Sequence, residues 1–271
     1  MHWTRVKTIL ILVFLVIDIV LLSSIIMTSY TAPTIDATMI EDTINILGRN
    51  NIKTDKSVIP TAIQRMGMVE LRNAWTDNDK AASVLTGGDA SKTVSFSGNE
   101  FYFTDPAPVS VPVSKDGYKQ AFENMGIYAD SNFIEISGSS VSAKQSIGNS
   151  VIFETGISAE TAENGGIASA SGYWILFDGE GSISTKTAAQ LTPITSVLIN
   201  FTENPYRNPV GEEITLIETG YSLGNVYRDT VHKLVSVIPA YKISCASGSY
   251  FMYDAMTGDF LYANINNEIM Y

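Results

Sequence analysis

The chain has one cysteine, Cys245, and two histidines, His2 and His232, in 271 residues. A single cysteine excludes an intramolecular disulfide, so the fold has to rest on an apolar core. Cys245 closes the strand-like run Lys242-Ile243-Ser244 and reads as a small, partly buried residue rather than a nucleophile. Two histidines give no useful metal or catalytic set; His232, in the alternating run Thr230–Leu234, is expected to point at solvent. Basic residues are also scarce, 17 against 28 acidic, for a formal charge of −11. That balance argues against nucleic acid or anionic lipid head groups as partners.

The motifs of catalysis are missing as well. No Gly-rich phosphate loop follows a strand, and Ser137-Gly138-Ser139-Ser140 is a turn rather than a nucleophile elbow. Asp77-Asn78-Asp79 begins like a calcium loop, but Gly88 stands where the twelfth-position Glu belongs, and the acids suit a helix N-terminus instead. The neighbours Glu41-Asp42 and Glu212-Glu213 point different ways. Asp254 and Asp259 flank Thr257-Gly258 between two apolar strands, which is hairpin-turn chemistry. Asn200-Phe201-Thr202 fits a glycosylation sequon, a short and weak match. The expectation is a protein that is not an enzyme, with no cofactor and no metal.

What is present is a long apolar run at the start. Ile9 to Met27 is interrupted only by Asp18, Ser23 and Ser24. Such a run of about 19 residues rises about 28 Å as a helix, close to the hydrocarbon thickness of a bilayer. Arg5 and Lys7 precede it, and no Lys or Arg follows until Arg49. The positive-inside rule then predicts a cytoplasmic N-terminus, a single-pass anchor in the cell membrane, and an extracellular remainder. A cleaved signal peptide is the competing reading, but its apolar region is usually about 7 to 15 residues, and Thr28–Pro33 offers no good cleavage site. Asp18 in mid-span has two readings. Either the surrounding apolar residues carry it, or it faces another transmembrane helix and hydrogen-bonds there, with Ser23 loosely on the same side.

Beyond the span, periodicity and turn chemistry predict the following elements. A helix opens at Thr34-Ile35-Asp36 and runs to Asn50, with Ile40, Ile44 and Leu47 on one face. Met66–Trp75 reads as a strand, Asp77–Leu85 as a helix stopped by Gly87-Gly88, and Thr93–Thr104 as a hairpin. Asp105–Pro112 is a stiff Pro-rich connector, and Lys115–Met125 a helix. Strands follow near Phe133–Ile136, Val141–Ile147, Val151–Thr155, Tyr173–Phe177 and Ser182–Thr185, with the Ser/Ala/Gly-rich stretch Ser158–Gly172 as a mobile loop. Thr192 caps a helix with Pro193 in its first position. Glu213–Tyr221, Thr230–Ile243, Ser249–Tyr253 and Phe260–Tyr262 close the chain as strands, with Pro239 marking an edge or a bulge.

Gly172–Gly181 resembles Gly248–Gly258, and the interval from Asp178 to Asp254 equals that from Asp116 to Thr192, where helices begin. The expected fold is α+β. It comprises an N-terminus and anchor over 1–30, a first unit over 31–188 and a second over 189–271, each a helix packed on an antiparallel sheet.

Two ends of the chain carry a resemblance. Trp3-Thr4-Arg5-Val6-Lys7-Thr8-Ile9 leads straight into the apolar span, and Asn50-Asn51-Ile52 and Val58-Ile59-Pro60 follow the first helix. Near the C-terminus stand Val237-Ile238-Pro239-Ala240-Tyr241-Lys242-Ile243, Tyr250, and Tyr253-Asp254-Ala255-Met256-Thr257-Gly258-Asp259. In these features and their order the chain resembles the YycI (WalI) regulatory proteins of low-GC Gram-positive bacteria. Residues 110–190 match by layout alone, and the closing hairpin also resembles those of PepSY-type domains.

The resemblance implies a non-catalytic regulator. With a YycH-like partner it would bind a WalK-like sensor histidine kinase of the two-component system that controls cell-wall homeostasis, partly through the transmembrane helices. Asp18 is then a natural helix–helix contact. The alternative is a PepSY-type extracytoplasmic protease inhibitor or chaperone-like binding protein, working through its external part alone. A third class, an envelope enzyme or wall-binding protein, would need a ligand in an aromatic cleft.

Overall fold

The structure is a computed structural model, and it describes residues 7, 11–21, 33–72, 77–98, 100–175, 183–185, 187–224 and 234–271. Residues 11–21 are helical (α1). Among the described residues no helix is long and apolar enough to cross a membrane. The rest of the expected span, and His2, Arg5, Ser23 and His232, lie outside the described residues.

The chain is α+β, as expected. Helix α2 (Ala37–Arg49) starts where Asp36 accepts from the Thr38 amide at 2.8 Å, and it buries Ile40, Thr43 and Leu47. Short strands β1 (Ile52–Thr54), β2 (Arg65–Met66) and β3 (Val69–Arg72) follow. Asp77 caps α3 (Asn78–Thr86) by accepting from the Asp79 and Lys80 amides, and Gly87 ends it in the left-handed region. Strands β4 (Thr93–Ser97) and β5 (Glu100–Thr104) form the expected hairpin. Ser114 caps α4 (Lys115–Asn124), whose Tyr118 and Phe122 are buried.

Next come β6 (Ile134–Ser137), β7 (Ser140–Ile147), β8 (Ser150–Thr161) and β9 (Ile167–Tyr173), then β10 (Ile183–Thr185), β11 (Ala189–Gln190) and α5 (Ile194–Thr202). The chain closes with β12 (Glu212–Ser222), β13 (Leu234–Cys245), β14 (Tyr250–Asp254), β15 (Phe260–Ile265) and β16 (Glu268–Met270).

One sheet links fourteen of these strands. Its main path runs β16-β15-β14-β13-β12-β8-β9-β5-β4, with β1 beside β12, β3 beside β13 and β7 beside β8. Here β10 pairs with β3 alone and β6 with β7 alone. The sheet is mixed, not purely antiparallel: β1 and β8 both lie parallel to β12. The apolar side chains form two main clusters. The first joins α2, α5 and the C-terminal strands and includes residues from Ile35 to Leu71. The second joins α3, α4 and β5–β9. Residues 77–175 therefore supply the body of the second cluster, and Ile152 and Ile175 within them reach into the first.

Three local expectations are corrected. Ser158–Gly172 is a hairpin rather than a mobile loop: it forms the end of β8, a turn over 162–166 and most of β9, with β8 paired over Gly156–Thr161. Its small residues are a packing requirement. A Cβ on Gly172 would sit 2.1 Å from the Gly156 carbonyl oxygen, and Ala159 and Ala170 are buried. Pro239 marks neither an edge nor a bulge. On one side of β13 the partner is β12; on the other it changes from β3, last paired at Val237, to β14, first paired at Ala240. Pro239 sits at that change, where a missing N–H interrupts no ladder. Thr192 does not cap α5. Its hydroxyl donates to the Met256 carbonyl at 2.8 Å, and Pro193 holds the cap position without a side-chain bond.

Candidate functional site

Two places stand out: the exposed apolar helix at the N-terminus and the junction between the two clusters.

In α1 the exposure of the large apolar residues runs from 46% at Ile17 to 65% at Ile11. Helical spacing aligns Ile11, Phe14, Leu15 and Asp18 on one face. Asp18 is the one charged residue of the 11–21 stretch, and it is exposed. An apolar surface on all sides of a helix belongs in an apolar medium or against other helices. Lys7 is exposed as well. The structure thus places Asp18 and Lys7, while Arg5 and Ser23 are not among the described residues.

The junction is built around Glu154, in the middle of β8. Glu154 Oε1 accepts from the Tyr262 hydroxyl on β15 at 2.7 Å and from the Ser222 hydroxyl at the end of β12. Its Oε2 accepts from the Leu223 amide at 3.0 Å, and the Ser222 oxygen in turn accepts from the Gly224 amide. Burial, the largest influence, pushes the Glu154 carboxyl above the usual carboxylate range; the three donors pull the other way. Sequence reading missed this residue. Its only local signal is a charged residue flanked by Phe153 and Thr155 in a strand, and its partners are 68 and 108 positions away.

The junction has further parts. Gln145, on β7, is buried, donates to the Ile175 carbonyl at 2.7 Å and accepts from the Ile175 amide at 3.0 Å. Lys242 lies 3.6 Å from Glu218 and over the Tyr250 ring at 4.9 Å and the Phe153 ring at 5.7 Å. That stacking fixes an ammonium on the sheet face opposite α5.

Two clefts open on the surface. One, of about 510 Å³, lies between the end of α3, α4 and the Pro-rich connector; Phe103, Val109, Gln120 and Asn124 line it, with the Lys92–Asp105 pair at 3.3 Å. The other, of about 480 Å³, is lined by Asn51, Lys53, Asn208 and Glu212. Glu212 is buried and accepts from the Ser247 hydroxyl at 3.0 Å. Cys245, near it, is buried too, and burial followed by the Glu212 charge pushes its thiol well above the usual range. A thiol held protonated is a poor nucleophile.

Among the described residues no group of three or more His, Cys, Asp and Glu side chains is placed to hold a metal ion. The Asn200 amide of the sequon donates to the Gly258 carbonyl at 3.1 Å, and Phe201 is fully buried. Asp254 caps its turn by accepting from the Met256 and Thr257 amides. No protein-family model matches the chain, and no curated protein matches it significantly.

Proposed function

We propose that this protein is a membrane-anchored, non-catalytic regulator of the YycI (WalI) kind. It binds a WalK-like sensor histidine kinase together with a YycH-like partner, and it modulates cell-wall two-component signalling. The observation that carries the reading is α1: a helix whose large apolar residues are all exposed, with one carboxylate, continuing in sequence into the longer run Ile9–Met27. Such a surface is costly in water and stable in a bilayer. A carboxylate near the bilayer centre costs roughly 2.5 to 3.5 kcal/mol on insertion scales, and a hydrogen bond to a second helix offsets part of that cost. The basic residues Arg5 and Lys7 ahead of the run support a cytoplasmic N-terminus and an external C-terminal region.

Regulation requires that the protein bind two states of the kinase with different affinity. The Asp18 contact is where the transmembrane part of that difference arises. The test is kinase output in cells carrying Asp18→Leu, with protein amount measured in parallel. Output changes while the amount of protein in the membrane does not. Unchanged output removes Asp18 from the mechanism.

A further inference from the structure

The two bodies meet through one backbone ladder pair and through apolar side chains: Ile152 and Ile175 lie in the first cluster, and Phe153 packs against Met252 and Tyr262. Strand β8 belongs to the sheet of the second cluster through β7 and β9, and it meets β12 of the first at a single ladder pair, Ile152 with Tyr221. Two positions along β8, the Glu154 side chain takes three hydrogen bonds from the other body: from Ser222 and Leu223 at the end of β12, and from Tyr262 on β15. One carboxylate thus adds three hydrogen bonds across the joint beside a single ladder pair.

We propose that this junction is a proton-linked joint: Glu154 protonated holds the two bodies close, and Glu154 ionised lets them part. The inference does not depend on the membrane reading. In the closed arrangement the carboxylate is shielded from water; if the bodies separate, it is hydrated. Charge is disfavoured by the dry site and tolerated by the wet one, so the proton is bound more tightly when the joint is closed. By linkage, protons favour the closed arrangement, and the tightening is lost as pH rises through the closed-state value. Serine and tyrosine hydroxyls suit this role because each donates to a carboxylate and accepts from a carboxylic acid after rotating its O–H. The Leu223 amide stays on Oε2 in both states.

The other titratable groups around the joint do not replace Glu154. On β12, Glu218 is paired with Lys242 of β13 at 3.6 Å, and Tyr221 has its phenol pushed up by burial, away from the acid range. On β7, Lys144 is exposed. On β15, Tyr262 is the donor already named, and the Tyr271 ring lies 6.2 Å from it. On β16, Glu268 is exposed.

The joint is tested by spin-label distances in the full chain held in mild detergent. Ser95→Cys on β4 and Ser196→Cys on α5 place one label on each body at exposed positions. Cys245, being buried, stays unlabelled in the folded protein. As pH falls the distance distribution is expected to narrow while Glu154 takes up its proton. Glu154→Gln, a neutral isostere, is expected to give the narrow distribution at every pH. Tyr262→Phe removes a donor that favours the ionised form, so the narrowing moves to higher pH; this variant keeps the test available if Glu154→Gln does not fold. A distribution that does not change with pH in the unaltered chain overturns the proposal, as does a Glu154→Gln protein that keeps the full pH response.

Discussion

Gln145 and Ile175 exchange two hydrogen bonds in the interior, the side-chain amide taking the place of a strand neighbour for both backbone groups of Ile175. The pair lies where the β7–β8 register shifts, between Lys144 and Ser146. Gln145 continues the inward-facing set of Val141 and Ala143, and its amide satisfies backbone that no ladder reaches. Gln145→Leu keeps the bulk and leaves a buried N–H and a buried C=O unpaired. The cost is expected to be about 2–5 kcal/mol, read as a lower urea midpoint with an unchanged slope. A loss below about 1 kcal/mol would mean that water or a shifted backbone replaces the amide.

Gly172 and Gly98 both have positive φ, at +148° and +60°, but for different reasons. Nothing lies within 4 Å of a Cβ on Gly98, whereas a Cβ on Gly172 would strike the Gly156 carbonyl oxygen at 2.1 Å. Gly98→Ala is expected to cost only the left-handed backbone penalty, about 1–2 kcal/mol. Gly172→Ala adds overpacking of about 1–3 kcal/mol and disturbs the β8–β9 ladder. Denaturation of the two variants side by side checks the order; equal losses would contradict the close approach of these strands.

The same glycine shows where sequence reading stops. Helix α3 was legible because both its ends are marked locally, by Asp77 and Gly87. The β4–β5 hairpin was legible because Ser97-Gly98-Asn99 marks its turn. Residues 158–172 were misread because Ser, Ala and Gly are turn residues by composition, and what makes them strand residues here is a neighbour 16 positions back that leaves no room for side chains. The Thr192 cap failed in a similar way: the Met256 carbonyl, 64 positions away, takes the hydroxyl that a local rule assigns to α5. The parallel contacts of β12 with β1 and β8 have no local signal at all. Of the candidate site residues, Asp18 was legible as a charge in an apolar run. Glu154 was not, because a buried carboxylate is defined by partners brought together only by folding.

Tyr241 gives the fold a response to alkali. Its hydroxyl donates to the Thr192 carbonyl at 2.9 Å, and burial raises its phenol to about 12. An acid whose folded value lies above its unfolded value of about 10 stabilises the native state below pH about 10, and that contribution is lost as pH rises through about 12. Tyr241→Phe is therefore expected to lose about 1 kcal/mol at neutral pH, for one hydrogen bond, and to depend less steeply on pH between about 10 and about 12. Unfolding free energies measured at both ends of that interval check it; parallel profiles would contradict the assignment.

The measurement that bears most directly on the central claim is co-purification from native membranes in mild detergent, with the natural chain and with Asp18→Leu. The account predicts that a sensor histidine kinase and a second single-pass protein come down with the natural chain and are lost with Asp18→Leu. Recovery undiminished by the substitution would move the contact to the external region. Absence of a kinase from both samples would contradict the regulator reading itself.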